Sequence, residues 1–343
     1  MSIEWSFLPE NSGQNLTATP EHFGDLTAEL AAASATAAGT GSVFSVLDRG
    51  WIRVSGIDAE NFLHNQLTSD VHHLKLGGWQ HSSWCTAKGR MLSNFILLRS
   101  SVDSTVFELG LAQELVSVIA QRLKMYVLRA KVQVEDVSAQ RITFGLVGNV
   151  CQEVLAAFGA VPNVGEIGAS EVMTVRVSEK EAWLCVESVK SRTLATQLQA
   201  YATPVGAQAW NWIEVGKGIP LVRAATREEF VPQMVNFDKI GGVSFHKGCY
   251  PGQEIVARTQ YLGKVKRHLY RVSSTQPMFP GQPLFGTTDG VAAQSCGVVA
   301  NAAPDTVVGY VALAVVLETA IDAPIHTGDP QGPVLSKIEP VAA

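Results

Sequence analysis

Apolar and polar positions alternate along residues 51–138 as expected for a mixed block of strands and helices. Trp51 to Val54 show the period-two pattern of a strand, and Asp58 stands where a helix would be capped. Two apolar strand patterns meet at Lys88 and Gly89, which predicts a hairpin that turns at these two residues. The predicted order is a strand at 51–54, a helix at 58–67, a hairpin at 82–100, a strand at 105–111, a helix at 112–128 and a strand at 130–138.

The same order recurs in the next segment, which predicts a second block of related topology. Its elements are a strand at 141–148, a helix at 151–160, a hairpin at 171–188 and a helix at 190–201. Beyond about residue 263 helix signals stop, and short strands are separated by Gly, Pro and Asp turns. These strands, at 264–274, 295–302, 306–316 and 332–339, predict a small all-β barrel or sandwich.

An alanine-rich stretch within 17–42 precedes both blocks. It predicts a helix that opens near Thr19, Pro20 and Glu21 and stops at Gly39 and Gly41. Together the pattern predicts an α+β protein in which two related α+β units are followed by a C-terminal β domain.

Composition places the 343-residue chain among soluble, multi-domain proteins. The net charge of −5 argues against a nucleic-acid-binding protein as a whole, so no direct DNA binding is expected. Neither a signal peptide nor an apolar run of roughly 18 residues is evident, so a cytoplasmic protein without a membrane segment is expected. The cysteines show no zinc-type spacing, which predicts free thiols and no metal site: Cys85, Cys151, Cys185, Cys249 and Cys296.

The stretch KGCYPGQE, residues 247–254, surrounds one cysteine with polar and turn-forming residues. Lys247 can lower the pKa of the Cys249 thiol, because a nearby cation favours the reactive thiolate. The other four cysteines lie in predicted strands or at a helix start and are expected to be buried fillers. The alternative interpretation of Cys249 is a filler in a glycine-rich turn. The remaining residues of the candidate site are Gly248, Tyr250, Gly252, Gln253 and Glu254.

A basic strip follows this loop: Arg258, Lys264, Lys266, Arg267 and Arg271, with no acid among them. It fits an anion such as a phosphate, a polyglutamate tail or an RNA backbone. The alternative is a solvated strand edge protected by charge. An RNA-binding module remains a third possibility, although the acidic total charge argues against it. Trp51 and Trp210 could each offer a face to a flat ligand, while a core position is the ordinary interpretation of either one alone.

Three motifs together resemble a known family. KGCYPGQE resembles the K-G-C-Y-x-G-Q-E signature of the YgfZ-type folate-binding proteins, a branch of the glycine-cleavage T-protein (aminomethyltransferase) superfamily. The segments VSGIDAENFLHNQLTSDV and AKGRMLSNF are similar to two further blocks of that superfamily. The resemblance runs collinearly from about residue 43.

The resemblance implies a ring of three domains around a pocket for tetrahydrofolate or a derivative. The corresponding division here is a discontinuous α+β domain at 1–44 and 140–262, an inserted α+β domain at 45–139 and a C-terminal β-barrel at 263–343. Residues implied to bind folate, by position or by chemistry, are Trp51, Trp210, Asn94 and Arg258.

Two departures from the aminomethyltransferases affect the expected function. Ser93 and Asn94 replace a pair of aspartates, and neither can carry a carboxylate charge. Glu214 lies two residues away from the position of the family's glutamate. The resemblance therefore implies folate binding and support of iron–sulfur enzyme assembly or repair, including tRNA-modifying enzymes, with Cys249 and Lys247 as the reactive pair. Expected partners are folate and iron–sulfur client enzymes or assembly factors. The alternative is a folate-dependent one-carbon transferase that acts on an unknown amine.

Overall fold

The computed structural model describes residues 20–159, 161–168, 170–261, 263, 265–288 and 291–341. The α-helices of these residues are α1 (Leu26–Ala37), α2 (Ala59–Gln66), α3 (Val116–Val127), α4 (Cys151–Ala157), α5 (Ser191–Leu198), α6 (Ala207–Lys217) and α7 (Gln253–Tyr261). The strands are β1 (Ser42–Val46), β2 (Arg49–Ser55), β3 (Trp79–Cys85), β4 (Met91–Arg99), β5 (Val106–Ala112), β6 (Gln133–Asp136), β7 (Arg141–Gly148), β8 (Ile167–Gly168), β9 (Met173–Ser178), β10 (Glu181–Glu187), β11 (Thr203–Pro204), β12 (Arg267–Ser274), β13 (Pro283–Thr288), β14 (Val291–Asp305), β15 (Gly309–Leu317), β16 (Ile325–Thr327) and β17 (Lys337–Pro340). Lys264, part of the basic strip, lies outside the described residues.

The first sheet has the order β11-β1-β7-β10-β9-β8. Strand β7 occupies the predicted bounds and pairs antiparallel with β1 and β10. Because side chains alternate across a strand, Phe144 and Leu146 lie on one face of β7 and Thr143 and Gly145 on the other. The first face forms an apolar core with α4 and α5, in which Leu194 and its neighbours are almost fully buried. The second face packs against Trp51 and Trp210.

The second sheet has the order β3-β4-β5-β2-β6. Its β3 and β4 flank the predicted hairpin turn, where Gly89 has a φ of +70° that favours glycine. Strands β2 and β5 pair antiparallel with Trp51 opposite Gly110. The strand, helix, hairpin, strand, helix and strand predicted for 51–138 are confirmed.

The third sheet has the order β16-β13-β14-β15-β12-β17 and is antiparallel in each described pairing. It curls into a half-barrel around its own apolar core, which includes Val272, Leu284 and Val299. The predicted all-β character of the C-terminal segment is confirmed.

Two helices differ from the sequence prediction. Helix α1 begins at Leu26, because Asp25 accepts a hydrogen bond from the backbone N–H of Ala28 (3.0 Å) and thereby caps it. The start predicted near Pro20 is wrong, and Thr19 lies outside the described residues. Helix α6 was not predicted, since Gly216 interrupts its last turn and its tryptophans at 210 and 212 do not follow a helical period.

The chain forms two compact units. The first contains the described residues up to 59, with 74–79 and 97–213, and the second contains 60–73, 80–96 and 214 onward. The α+β class is confirmed. For each sheet, all strands lie within a single predicted domain, apart from the end of β1. The domain boundaries themselves stay a prediction. None of the described helices has the length and apolar character needed to cross a membrane.

Candidate functional site

The loop that carries Cys249 is held against the β3–β4 hairpin turn. Gly252 has a φ of +82°, and a Cβ added there would stand 2.3 Å from the carbonyl oxygen of Thr86 and 2.7 Å from the Cα of Gly89. Two glycines therefore allow the two turns to touch. Gly248, in contrast, does not adopt a positive φ.

The side chain of Gln253 closes the loop from the other end. It begins α7, and its amide nitrogen lies 3.4 Å from the carbonyl oxygens of both Lys247 and Gly248. The backbone N–H of Gln253 also donates to the carbonyl of Tyr250 at 3.2 Å. The predicted motif residues Gly252 and Gln253 thus shape the loop, while Glu254 is exposed in the first turn of α7.

Lys247 is a buried ammonium group at the C-terminal end of α2. Its Nζ donates to the carbonyl oxygens of His64, Leu67 (2.6 Å) and Ser69 (3.0 Å). A helix C-terminus leaves carbonyls without partners inside the helix and carries partial negative charge, so a cation is favoured there. Burial lowers the pKa of Lys247 to about 8, with nearby Asp70 opposing the shift, and the amine remains mostly protonated at neutral pH.

The three N–H donors of Lys247 are all directed at these carbonyls, so its role in the structure is to position the loop. Tyr250 packs beside it, with the Lys247 ammonium 5.1 Å from the centre of the tyrosine ring. That Lys247 also activates the Cys249 thiol stays a prediction.

Cys249 is exposed, whereas the other four cysteines are buried. Burial raises the pKa of Cys85 and of Cys185 to about 12, that of Cys151 to about 11, and also that of Cys296. Because the thiolate is the reactive form, burial disfavours reaction at these four cysteines, and their buried positions are as predicted. Among the five, only Cys249 is placed to meet a molecule from solution.

Several buried polar atoms of the second unit have no hydrogen-bond partner within the described part of the chain. They include the hydroxyl oxygen of Tyr250 and Oδ1 of Asp238. Burial raises the pKa of both groups. Unpaired buried polar atoms are rare in proteins and are the kind of group that a polar ligand satisfies.

Trp51 lies in the core of the first unit and is fully buried. Its indole N–H donates to Oγ1 of Thr143 on β7 (2.8 Å), and its ring lies 3.0 Å from the position of a Cβ on Gly110. The guanidinium of Arg141 lies 5.8 Å from the ring centre. These neighbours bury the Trp51 ring and give its indole N–H a hydrogen-bond acceptor.

Trp210, on α6, packs on the same face of β7. A Cβ added to Gly145 would stand 2.3 Å from two carbons of the Trp210 ring, so glycine is required beneath it. Its side chain is 5% exposed. The structure gives both tryptophans core positions, and a role for either in folate binding stays a prediction.

Asn94, in β4, is buried and bonded to an adjacent segment. Its Nδ2 donates to the carbonyl of Pro220 (3.0 Å), and its Oδ1 accepts from the backbone N–H of Val222 (2.8 Å). Ser93 is fully buried. Asn94 therefore connects β4 to residues 220–222, and folate binding by Asn94 stays a prediction.

Replacement of Asn94 by aspartate is expected to lower the free energy of unfolding by about 1–3 kcal/mol. The carboxylate can still accept from Val222 but cannot donate to the carbonyl of Pro220, which would then be left unpaired in the core. Urea denaturation at pH 7 measures the change. Asn149→Asp is the control, because Asn149 also donates to a carbonyl but is exposed. Equal stability of the two variants would contradict the expectation.

The basic strip is divided between surface and structural roles. Arg258 is exposed in the last turn of α7, and Lys266 is exposed just before β12. Arg271 instead donates to the carbonyl of Gly216 (2.6 Å) and so caps α6. Glu214 forms an ion pair with Lys217 at 2.9 Å. Anion binding by Arg258 stays a prediction.

Metal ligation has no prepared site in the part of the chain that the structure describes. No group of three or more His, Cys, Asp or Glu side chains there is arranged to hold an ion. Residues 60–73 form a cluster of histidines and carboxylates beside the Cys249 loop, and this cluster is not arranged to hold an ion either. The sequence did not predict this cluster. Three histidines and Asp70 within ten residues were the available signal.

Comparison with known proteins identifies three similarities. Residues 17–238 match the family model of the GCVT N-terminal domain. The chain is 32% identical over 230 residues to the tRNA-modifying protein YgfZ of Colwellia psychrerythraea. The aligned residues cover 66% of this chain and 69% of that relative. The glycine cleavage system aminomethyltransferase T from Bartonella henselae superposes with a TM-score of 0.73 at 18% identity, over 92% of this chain and 88% of that one. The last similarity confirms the predicted T-protein-like fold.

Proposed function

Because the chain belongs to the GCVT family, and within it to the YgfZ-type proteins, we propose that it binds a reduced folate and supports iron–sulfur enzymes through Cys249. Enzymes that modify tRNA are among the proposed clients, as the name of the relative suggests. The observation that carries the proposal is the exposure of Cys249 in a polar loop whose neighbouring residues fix its backbone.

Folate binding is supported by the family and by the polar groups of the second unit. A pterin ring carries several hydrogen-bond donors and acceptors, and it needs buried polar partners as well as apolar walls. The hydroxyl of Tyr250 and Oδ1 of Asp238 are partners of this type. When bound, tetrahydrofolate would supply one-carbon chemistry, while the chain's own residues would hold and orient it.

Support of iron–sulfur enzymes follows from the chemistry of a free thiol. A thiolate is a soft ligand that suits iron and iron–sulfur clusters. One cysteine cannot complete a cluster site, which usually takes four ligands. A cluster or iron ion handled by this protein would therefore be cargo, shared between Cys249 and ligands of the client.

The test is complementation of cells that lack the gene. Cys249→Ser is expected to abolish the recovery of client enzyme activity and of modified tRNA nucleosides, because serine cannot provide a soft ligand. Cys151→Ala is the control, since that thiol is buried, and it should restore both. Both purified variants should melt near the wild-type temperature and bind tetrahydrofolate in calorimetry with unchanged affinity. Full recovery with Cys249→Ser would refute the thiol role, and absence of folate binding by folded wild-type protein would refute the folate role.

A further inference from the structure

A surface at the end of α3, in the first unit, combines exposed apolar and basic side chains. Leu128 is 88% exposed and Met125 is 68% exposed. Residues 115–134 carry four cations and no Asp or Glu, although the whole chain has a net charge of −5. Contiguous exposed apolar groups within a charged region are typical of an interaction site. We call this region the α3-tip surface, and its residues are Lys124, Met125, Tyr126, Leu128, Arg129 and Lys131.

Leu128 has a backbone conformation that is usual for glycine. Its φ is +47° and its ψ is −105°, and the N–H of Ala130 donates to the carbonyl oxygen of Val127 (2.8 Å) to close a β-turn. These angles fit the first central position of a type II′ turn, where glycine is preferred. A leucine there strains the backbone, and an exposed side chain recovers little of that energy by packing. The fold therefore gains little from leucine at this position, which is expected if the side chain contacts a partner.

A cavity of about 650 Å³ adjoins the α3-tip surface. It forms where the chain at Gly56 meets the chain at Lys131, whose carbonyl oxygen occupies the space that a Cβ at position 56 would need. Ile57 is 74% exposed and lines this cavity together with Val132, Lys131 and one acid, Asp103. The surface thus has a concave part into which an apolar side chain of a partner can fit.

We propose that the α3-tip surface is a docking site for an acidic segment of a partner protein. The partner's carboxylates would lie against Lys124, Arg129 and Lys131, and its apolar side chains would contact Leu128 and enter the cavity. Charge complementarity requires the acidic partner. Exposed methionine and aliphatic side chains favour a protein over RNA, whose phosphates cannot cover them, and the cavity favours a protein over a flat lipid surface. The identity of that protein as an iron–sulfur client enzyme rests on the proposed function.

Leu128→Gly tests the docking site without disturbing the fold. Glycine suits the turn, so the full-length variant should melt at or above the wild-type temperature. Its affinity for a purified iron–sulfur enzyme that modifies tRNA should nonetheless fall at least about tenfold in calorimetry, as for loss of a central apolar contact. Arg129→Glu should weaken the same binding, and added salt should weaken binding by the wild type. Val307→Gly is the control, because Val307 is also 88% exposed but lies between β14 and β15, and it should bind as the wild type does.

Complementation of cells that lack the gene provides a second measurement. Leu128→Gly should restore less client enzyme activity than the wild type, while Val307→Gly should restore it fully. Equal affinity of wild type and Leu128→Gly for the client enzyme would overturn the docking site. A client affinity unchanged in Arg129→Glu, with weaker binding of bulk tRNA or of phosphatidylglycerol vesicles, would identify RNA or a membrane as the occupant and would also overturn it. If wild-type protein restores no client activity, the proposed function fails, and calorimetry alone decides the docking site.

Discussion

Replacement of Lys247 by methionine is expected to lower the free energy of unfolding by about 3–5 kcal/mol. The ammonium is the donor for three carbonyl oxygens at the end of α2, and methionine fills the space of the stem without a donor. Each buried carbonyl left unpaired costs roughly 1–3 kcal/mol, and the replaced side chain recovers part of the total through packing. The change is measured by urea denaturation at pH 7.

Lys88→Met is the matched control, because Lys88 is exposed at the β3–β4 turn in the same unit. It should change stability by less than about 0.5 kcal/mol. A Lys247→Met protein as stable as the control would show that the three carbonyls do not depend on the ammonium. The assignment of Lys247 as a positioning residue would then be wrong.

Replacement of Trp51 by alanine is expected to cost about 3–5 kcal/mol of stability, the usual range for an aromatic residue removed from a core. The ring is fully buried between β5 and β7, and its loss leaves a cavity beside Gly110. The Thr143 hydroxyl also loses the indole donor and keeps only Sγ of Cys185, at 3.6 Å, as a partner. Thermal or urea denaturation of the purified variant measures the effect. A loss below about 1 kcal/mol would contradict the core position.

Trp51→Phe separates packing from ligand binding. It keeps most of the ring but removes the N–H that Thr143 accepts, so the cost should be smaller, about 1–2 kcal/mol. At a temperature where the variant is folded, its affinity for tetrahydrofolate can be measured by calorimetry. A weaker affinity without a further loss of stability would support the prediction that Trp51 lines the folate site.

Local patterns in the sequence predicted most of the fold. Strand β7 and the β3–β4 hairpin were located because alternation and a glycine turn are local signals. Helix α6 was missed because it is specified by packing instead: Trp210 fits only because Gly145 lies under it, 65 residues away in the chain. The predicted start of α1 is wrong because Asp25 caps the helix, and not a residue near Pro20.

The candidate site was predicted in its position and only partly in its chemistry. The exposure of Cys249 and the burial of the other cysteines followed from the composition of their segments. The contacts of Lys247 could not be foreseen, because its three acceptors lie 178–183 residues earlier and nothing local marks them. For the same reason the hydrogen bonds of Asn94 to residues 220 and 222 could not be predicted, and its role in folate binding stays a prediction.

The distance along the chain between Lys247 and its acceptors affects how the protein is made. At about 5–20 residues per second, a ribosome reaches Lys247 roughly 10–40 s after it has passed His64. During that interval the carbonyls at the end of α2 can be satisfied only by water. The support of the Cys249 loop by Lys247 is therefore completed late in translation, only two residues before Cys249 itself is added.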